Sequence, residues 1–280
     1  MNKKLLVAVI IAAAFVTLAA PTALLISFVL KDNKAFKSDF IENASCDLDM
    51  KMVYVEGGKL WQSNGEGVAL DGFWIGECEV TQAQWSAIME TSIYHQSEMS
   101  RMQTGEARPM RGVGPDYPMY YVNYFEAKEF CRKLSELTGR KYDLPTEAQW
   151  EYAARGGKDY NLTNYAYSGS NYVGEVAWYD NNSGTSSHPV KTKKANELGI
   201  YDMSGNLREW CKDWYSYKVY LDLDNPQGPS YGTERVVRGG CWRYGSHDCY
   251  VWCREFARRE VEQNPNYSTS YIGFRVVCLK

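Results

Sequence analysis

Residues 235–275 read RVVRGGCWRYGSHDCYVWCREFARREVEQNPNYSTSYIGFR, and no other stretch limits the fold as tightly. Two ends, Arg238-Gly239-Gly240-Cys241-Trp242 and Ile272-Gly273-Phe274-Arg275, bracket an interior dense in Tyr, Trp, Cys, His and Arg. A core segment would hold more Leu, Ile and Val. A solvated loop would hold more Gly, Ser, Asp and Lys. Aromatic rings mixed with Arg suit a contact surface, because they give a large area with few rotors and a polar handle. The stretch therefore reads as a working face, with the rest of the chain as scaffold and tether. Aromatic residues make up 14% of the 280 residues, including 22 Tyr and 9 Trp. That richness predicts a loop-rich fold pinned by rings rather than by long aliphatic elements.

Leu5–Leu30 is uncharged and follows Lys3 and Lys4. At about 1.5 Å per residue it is long enough to cross a hydrocarbon core of about 30 Å. Residues 1–37 therefore read as an N-terminal membrane anchor in preference to a cleavable signal segment. Small residues near Ala19, Ala20 and Ala23 keep cleavage open, in which case the protein is secreted. Residues 38–49 read as a polar linker and 50–280 as one domain, exported to the periplasm or cell surface. The net charge is −3, and five of the 31 basic groups but one of the 34 acidic groups lie in residues 1–37. The domain is thus more acidic than the whole, which argues against nucleic acid as a partner. No phosphate-binding loop, dinucleotide fingerprint or zinc-finger spacing occurs. The eight Cys permit disulfides in an oxidising compartment without fixing any pairing.

The pattern predicts an α+β class with few short elements. Met52–Val55 reads as an edge strand and Phe73–Val80 as a second strand. Thr81…Gln84, Asn123…Glu126 and Thr146…Gln149 form three capping boxes, each opening a helix. The second helix places Ala127, Phe130, Cys131, Leu134 and Leu137 on one face and stops at Gly139. Residues 91–117 read as a long loop, Val176–Tyr179 as a short strand, and Val236–Arg238 and Ile272–Cys278 as closing strands.

Four blocks in order carry a resemblance: Glu79-Val80-Thr81-Gln82, the run DLPTEAQWEYAARGG from Asp143, the run GIYDMSGN from Gly199, and the Gly239-Gly240…Gly273-Phe274-Arg275 frame. Over residues 50–278 the chain resembles the sulfatase-modifying factor family, whose namesake is the formylglycine-generating enzyme. The resemblance implies a single loop-rich, C-type-lectin-like domain. Enzymes of that family oxidise a substrate Cys with O₂, using two Cys that hold Cu(I), an ion suited to soft thiolates. In this chain the second of those positions falls on Cys249. The first falls on Tyr244, a hard phenol, and Cys241 or Cys253 would have to supply the missing sulfur.

Other members of the family lack the pair and bind ligands, among them variable proteins of diversity-generating retroelements. The reading favoured here is a membrane-anchored, non-catalytic binding or display domain for a protein, peptide or glycan. Its expected ligand-binding residues are Arg243, Tyr244, His247, Asp248, Tyr250, Trp252 and Phe256. A copper-dependent oxidase using Cys249, and a structural subunit of an envelope complex, are the alternatives. The resemblance also implies a structural Ca²⁺ held by Asp202, Gly205, Leu207 and Glu209, since calcium takes hard oxygen donors from tight loops. Glu147, Glu151 and Arg155 are expected in buried salt bridges, and Arg275 as a fork holding loop carbonyls.

Overall fold

The computed structural model describes residues 38–43, 48–62, 65–106, 108–158, 163–218, 220, 222–254 and 264–279. The expected membrane segment and Phe256 lie outside these. Among the described residues no helix is long and apolar enough to cross a membrane. The architecture is mixed α+β, rich in loops and short in elements, as the pattern predicts.

The main sheet is antiparallel and has five strands: β1 (Phe40–Glu42), β2 (Met50–Val55), β5 (Phe73–Gly76), β6 (Lys141–Asp143) and β10 (Val277–Leu279). Their spatial order is β1-β2-β5-β10-β6. The last strand of the chain thus closes the sheet from within, Val277 lying opposite both Ile75 and Asp143. β3 (Gly58–Trp61) and β4 (Gly67–Leu70) form a separate hairpin. A three-stranded sheet, ordered β8-β7-β9, combines β7 (Arg208–Trp214), β8 (Arg235–Arg238) and β9 (Ile272–Gly273), with β7 and β9 parallel. Both ends of the 235–275 stretch are therefore anchored on β7.

All three capping boxes form. They open α1 (Gln82–Met89), α3 (Tyr124–Thr138) and α4 (Glu147–Ala154). Gly139 ends α3 with φ 71°, a left-handed value that glycine adopts freely. Trp85 of α1 stacks on Phe130 of α3 at 5.9 Å, and both rings meet Phe274 edge-on at 6.1 and 5.3 Å. Such ring pairs add about 0.5–1.5 kcal/mol each beyond area burial, and these tie the Gly273-Phe274-Arg275 end to two helices.

Several expectations are corrected. β2 is an interior strand, because β1 takes the edge. Residues 38–49 are not a plain linker: Phe40 packs on Trp74 at 6.0 Å, and Leu48 is fully buried. The expected loop 91–117 contains α2 (Ile93–Thr104), capped by Ser92. Beyond Ile93 at its start, its buried face is polar, with Gln96, Ser97 and Ser100 turned inward, so it carries no apolar periodicity. The second strand stops at Gly76, the 176–179 strand is replaced by a helical turn α5 (Val173–Val176), and Leu137 is exposed. Ile272–Cys278 is two strands, β9 and β10, in different sheets.

Candidate ligand-binding face

The segment after β8 folds back sharply. Gly239 and Gly240 take φ 99° and 72°, and a Cβ on Gly240 would lie 2.8 Å from the Asp248 carbonyl and the Cys249 nitrogen. Only glycine permits that approach. The returning chain forms a 3₁₀ turn, Ser246–Cys249. Polar contacts hold it: Ser204 Oγ donates to the Cys249 carbonyl at 2.8 Å, and Ser183 Oγ to that of Trp242 at 2.7 Å. Trp242 Nε1 donates to the Ser270 carbonyl at 2.9 Å.

Beneath the turn, Arg238 is buried and reaches Glu147 at 3.1 Å, Glu151 at 2.7 Å and the Val251 carbonyl at 2.7 Å. Arg254 Nη2 meets Glu147 at 2.8 Å, and Arg155 Nη2 meets Glu151 at 2.8 Å. Burial works to raise the Glu151 pKa, but Arg238 and Arg155 outweigh it and hold the group below the usual carboxylate range. Glu147, Glu151 and Arg155 are thus structural ion pairs under the loop, in the roles expected of them.

The expected ligand-binding residues separate into two clusters on either side of the 3₁₀ turn. In the first, Tyr250 and Trp252 alternate about the inward-facing Val251, which is buried. Their rings stack at 4.9 Å with a 14° tilt. Tyr167 continues the stack on Tyr250 at 5.0 Å, His247 meets Tyr250 edge-on at 5.6 Å, and Arg155 lies 5.8 Å over Trp252. Trp252 keeps 46% of its surface exposed, so the ladder presents an apolar ledge to solvent. In the second cluster, Tyr244 packs edge-on to Tyr271 at 5.6 Å, with Arg208 4.6 Å above its ring. Arg243 is exposed and sits 5.2 Å over Tyr271.

Asp248 is a correction. It is buried and ion-paired with Arg208, so its charge is consumed inside the loop instead of facing a ligand. Sequence reasoning also missed Tyr167, which the stack recruits from a distant loop without a local signal.

Of the four residues expected to hold calcium, the two carboxylates, Glu209 and Asp202, accept hydrogen bonds from protein donors. Glu209 Oε2 accepts from Arg275 Nε at 2.7 Å and Trp150 Nε1 at 2.8 Å, and its Oε1 accepts from Arg275 Nη2 at 2.7 Å. Asp202 accepts from the Lys191 backbone N–H at 2.8 Å, and burial pushes its pKa up to about 6. The buried Glu79, which the sequence did not single out, accepts from Asn206 and from the Leu207 N–H, both at 2.9 Å. Arg275 supplies the positive charge that a calcium ion would bring to this acidic cluster. Its guanidinium also holds the carbonyls of Gly76 and Tyr201 at 3.1 and 2.9 Å. Among the described residues no group of three His, Cys, Asp or Glu is arranged to hold a metal.

Tyr244 and Cys249 do not fit a two-thiolate copper site. The Tyr244 ring is engaged by Arg208 and Tyr271. Cys249 is fully buried, and its pKa is pushed well up by burial, then by Cys241, Asp248 and Cys253 nearby.

The fold and this face can be set beside known proteins. The family model for the sulfatase-modifying factor enzyme 1-like domain matches residues 38–279. Chaperone protein LppX of Paenibacillus barcinonensis is 33% identical over 245 residues, covering 68% of this chain and 78% of that protein. The serine/threonine-protein kinase Pkn1 of Chlamydia trachomatis is 31% identical over 253 residues, covering 82% of this chain but 38% of the kinase. The formylglycine-generating enzyme of Streptomyces coelicolor is 34% identical over 177 residues, covering 58% of this chain and 52% of the enzyme. The chain thus spans about half the length of that enzyme and less of the kinase. Among solved structures, variable protein 1 of Treponema denticola superposes with a TM-score of 0.70 at 28% identity, covering 86% of this chain and 98% of the other. With the family model matched over residues 38–279, nearly the whole described length, the chain belongs to the family of sulfatase-modifying factor enzyme 1-like domains.

Proposed function

We propose that this protein is a non-catalytic binding domain, tethered to a membrane by residues 5–30 and displaying the 243–252 face to a protein, peptide or glycan outside the cytoplasm. The observation that carries the reading is the Tyr167–Tyr250–Trp252 ladder. It ends in a half-exposed Trp252, while the one thiol at a family catalytic position, Cys249, is sealed beneath it. Rigid rings with one open face gain contact area at little entropic cost. The names of two relatives, a chaperone and a variable protein, support binding as the role. The test is to screen the full chain against peptide and glycan arrays beside Trp252→Ala and Tyr250→Ala. The reading expects a ligand class retained by the wild type and lost in both variants. Retention of every ligand by both variants would refute it.

A second reading is favoured by one observation. Cys241 and Cys253, with burial and Asp248, act to raise the Cys249 pKa, so the two thiols are the candidates for a second sulfur ligand. Under that reading the chain is a copper-dependent oxidase of a substrate Cys, with Cys249 as ligand. Cu(I) titration of the wild type beside Cys249→Ser decides it: one tight site lost in the variant supports the oxidase, and no specific site removes it.

A further inference from the structure

The loop that follows α2 carries two arginines with buried N–H donors that meet no partner among the described residues. Arg108 keeps only 9% of its side chain exposed, yet its Nε and Nη2 are buried without a hydrogen-bond partner among the described residues. Its Nη1 lies 3.6 Å from Glu106, whose side chain is 72% exposed. An ion pair that open to water is weak. Arg111 Nε is likewise buried and has no partner among the described residues, although its Nη1 donates to the Thr185 carbonyl at 3.2 Å. A guanidinium is always charged, and burying one with donors unmet is costly.

The position of both arginines is built in. The Tyr120 hydroxyl accepts from the Arg111 backbone N–H at 2.7 Å and donates to the Gly112 carbonyl at 2.9 Å. The Tyr121 hydroxyl donates to the Pro109 carbonyl at 2.8 Å, and Ser97 Oγ to that of Arg108 at 2.9 Å. Burial raises the Tyr121 pKa, while Ser270, Arg108 and Arg111 all act to lower it, so both guanidinium charges reach the same hydroxyl. Arg111 also lies 5.5 Å over Trp242, which packs edge-on to Tyr271 at 6.4 Å. Arg243 lies 5.2 Å over Tyr271, the other ring of that pair. Arg111 and Arg243 therefore bring positive charge beside the Trp242–Tyr271 ring pair in a chain that is acidic overall.

We propose that Arg108 and Arg111 form a receptor for an oxoanion, a carboxylate, phosphate or sulfate group carried by the ligand. The forked donors of two arginines match such a group, and charge-assisted bonds of this kind are among the stronger ones. Glu106 holds Nη1 of Arg108 at the rim, and an entering oxoanion displaces it. The proposal rests on reading the 243–252 face as a ligand-binding surface and adds the chemistry of what that surface takes.

The experiment titrates the full chain with inorganic phosphate, sulfate and acetate at constant ionic strength, by calorimetry. Saturable one-site binding of at least one anion is expected. Its affinity should fall about tenfold or more in Arg108→Gln and in Arg111→Gln, and rise in Glu106→Gln. A preference for acetate assigns a carboxylate, and a preference for phosphate or sulfate assigns a tetrahedral group. Should a Gln variant fail to fold, Arg108→Lys decides, since it keeps the charge and loses the fork: weaker binding supports the receptor and unchanged binding overturns it. Absence of saturable binding, or binding indifferent to both arginines, also overturns it. The parent reading is scored separately through Trp252→Ala. Loss of an array ligand there without any anion binding removes this inference alone, and anion binding without any Trp252-dependent ligand removes that reading alone.

Discussion

Arg275 grips Glu209 through two 2.7 Å hydrogen bonds, Nε to Oε2 and Nη2 to Oε1, with neither side chain exposed to solvent. The same guanidinium holds the Gly76 and Tyr201 carbonyls, so one residue ties β7, the end of β5 and the 199–206 loop together. Removing either partner leaves a buried charge uncompensated. Arg275→Met is expected to lower stability by about 3–5 kcal/mol. Arg275→Lys should recover little of this, because an ammonium cannot reproduce the fork. Urea denaturation measures both, and near-wild-type stability in Arg275→Met would show that the pair holds nothing.

Asp213 sets a pH dependence. Burial, followed by repulsion from Glu147, pushes its pKa up to about 7, against about 3.9 for a free Asp. The folded state therefore binds the proton more tightly than the unfolded chain does. This contribution is fully present below about pH 4 and is lost as pH rises through about 7. Asp213→Asn should accordingly gain stability relative to wild type at pH 8, by a few kcal/mol at most, and gain less at pH 5. Denaturation of both proteins at the two pH values checks the sign.

The thiols should differ in reactivity. Burial first, with nearby acidic groups or thiols adding to it, pushes the pKa of Cys131, Cys211 and Cys249 well up, whereas Cys253 is half-buried. The thiolate is the reactive form. Iodoacetamide at pH 8 should modify Cys253 ahead of these three, which should react only after denaturation. Peptide mass mapping reads the order. Labelling of Cys249 as fast as Cys253 would show a thiol open to solvent and would favour the oxidase reading.

The sequence was most legible where structure is local. Each capping box needs only four residues, and all three formed. α2 escaped because its inward face is Gln96, Ser97 and Ser100, satisfied by hydrogen bonds to Tyr121, Arg108 and Ser268 that no local pattern encodes. The aromatic and Arg-rich 235–275 stretch was legible as a stretch but not as a surface. Its division into two clusters depends on the 246–249 turn, and the burial of Asp248 depends on Arg208, forty positions away. The partner of Glu209 was not legible for a similar reason, because Arg275 comes from the last strand region of the chain.

The most direct measurement is the dissociation constant of the strongest array ligand for wild type, Trp252→Ala and Tyr231→Ala. Tyr231 is 85% exposed and outside the ladder, so it serves as the control. The account predicts a loss of about tenfold or more in Trp252→Ala, as for an aromatic anchor worth over about 1.4 kcal/mol, and no change in Tyr231→Ala. Unchanged affinity in Trp252→Ala, or equal losses in both variants, would contradict a binding face built on the Tyr167–Tyr250–Trp252 ladder.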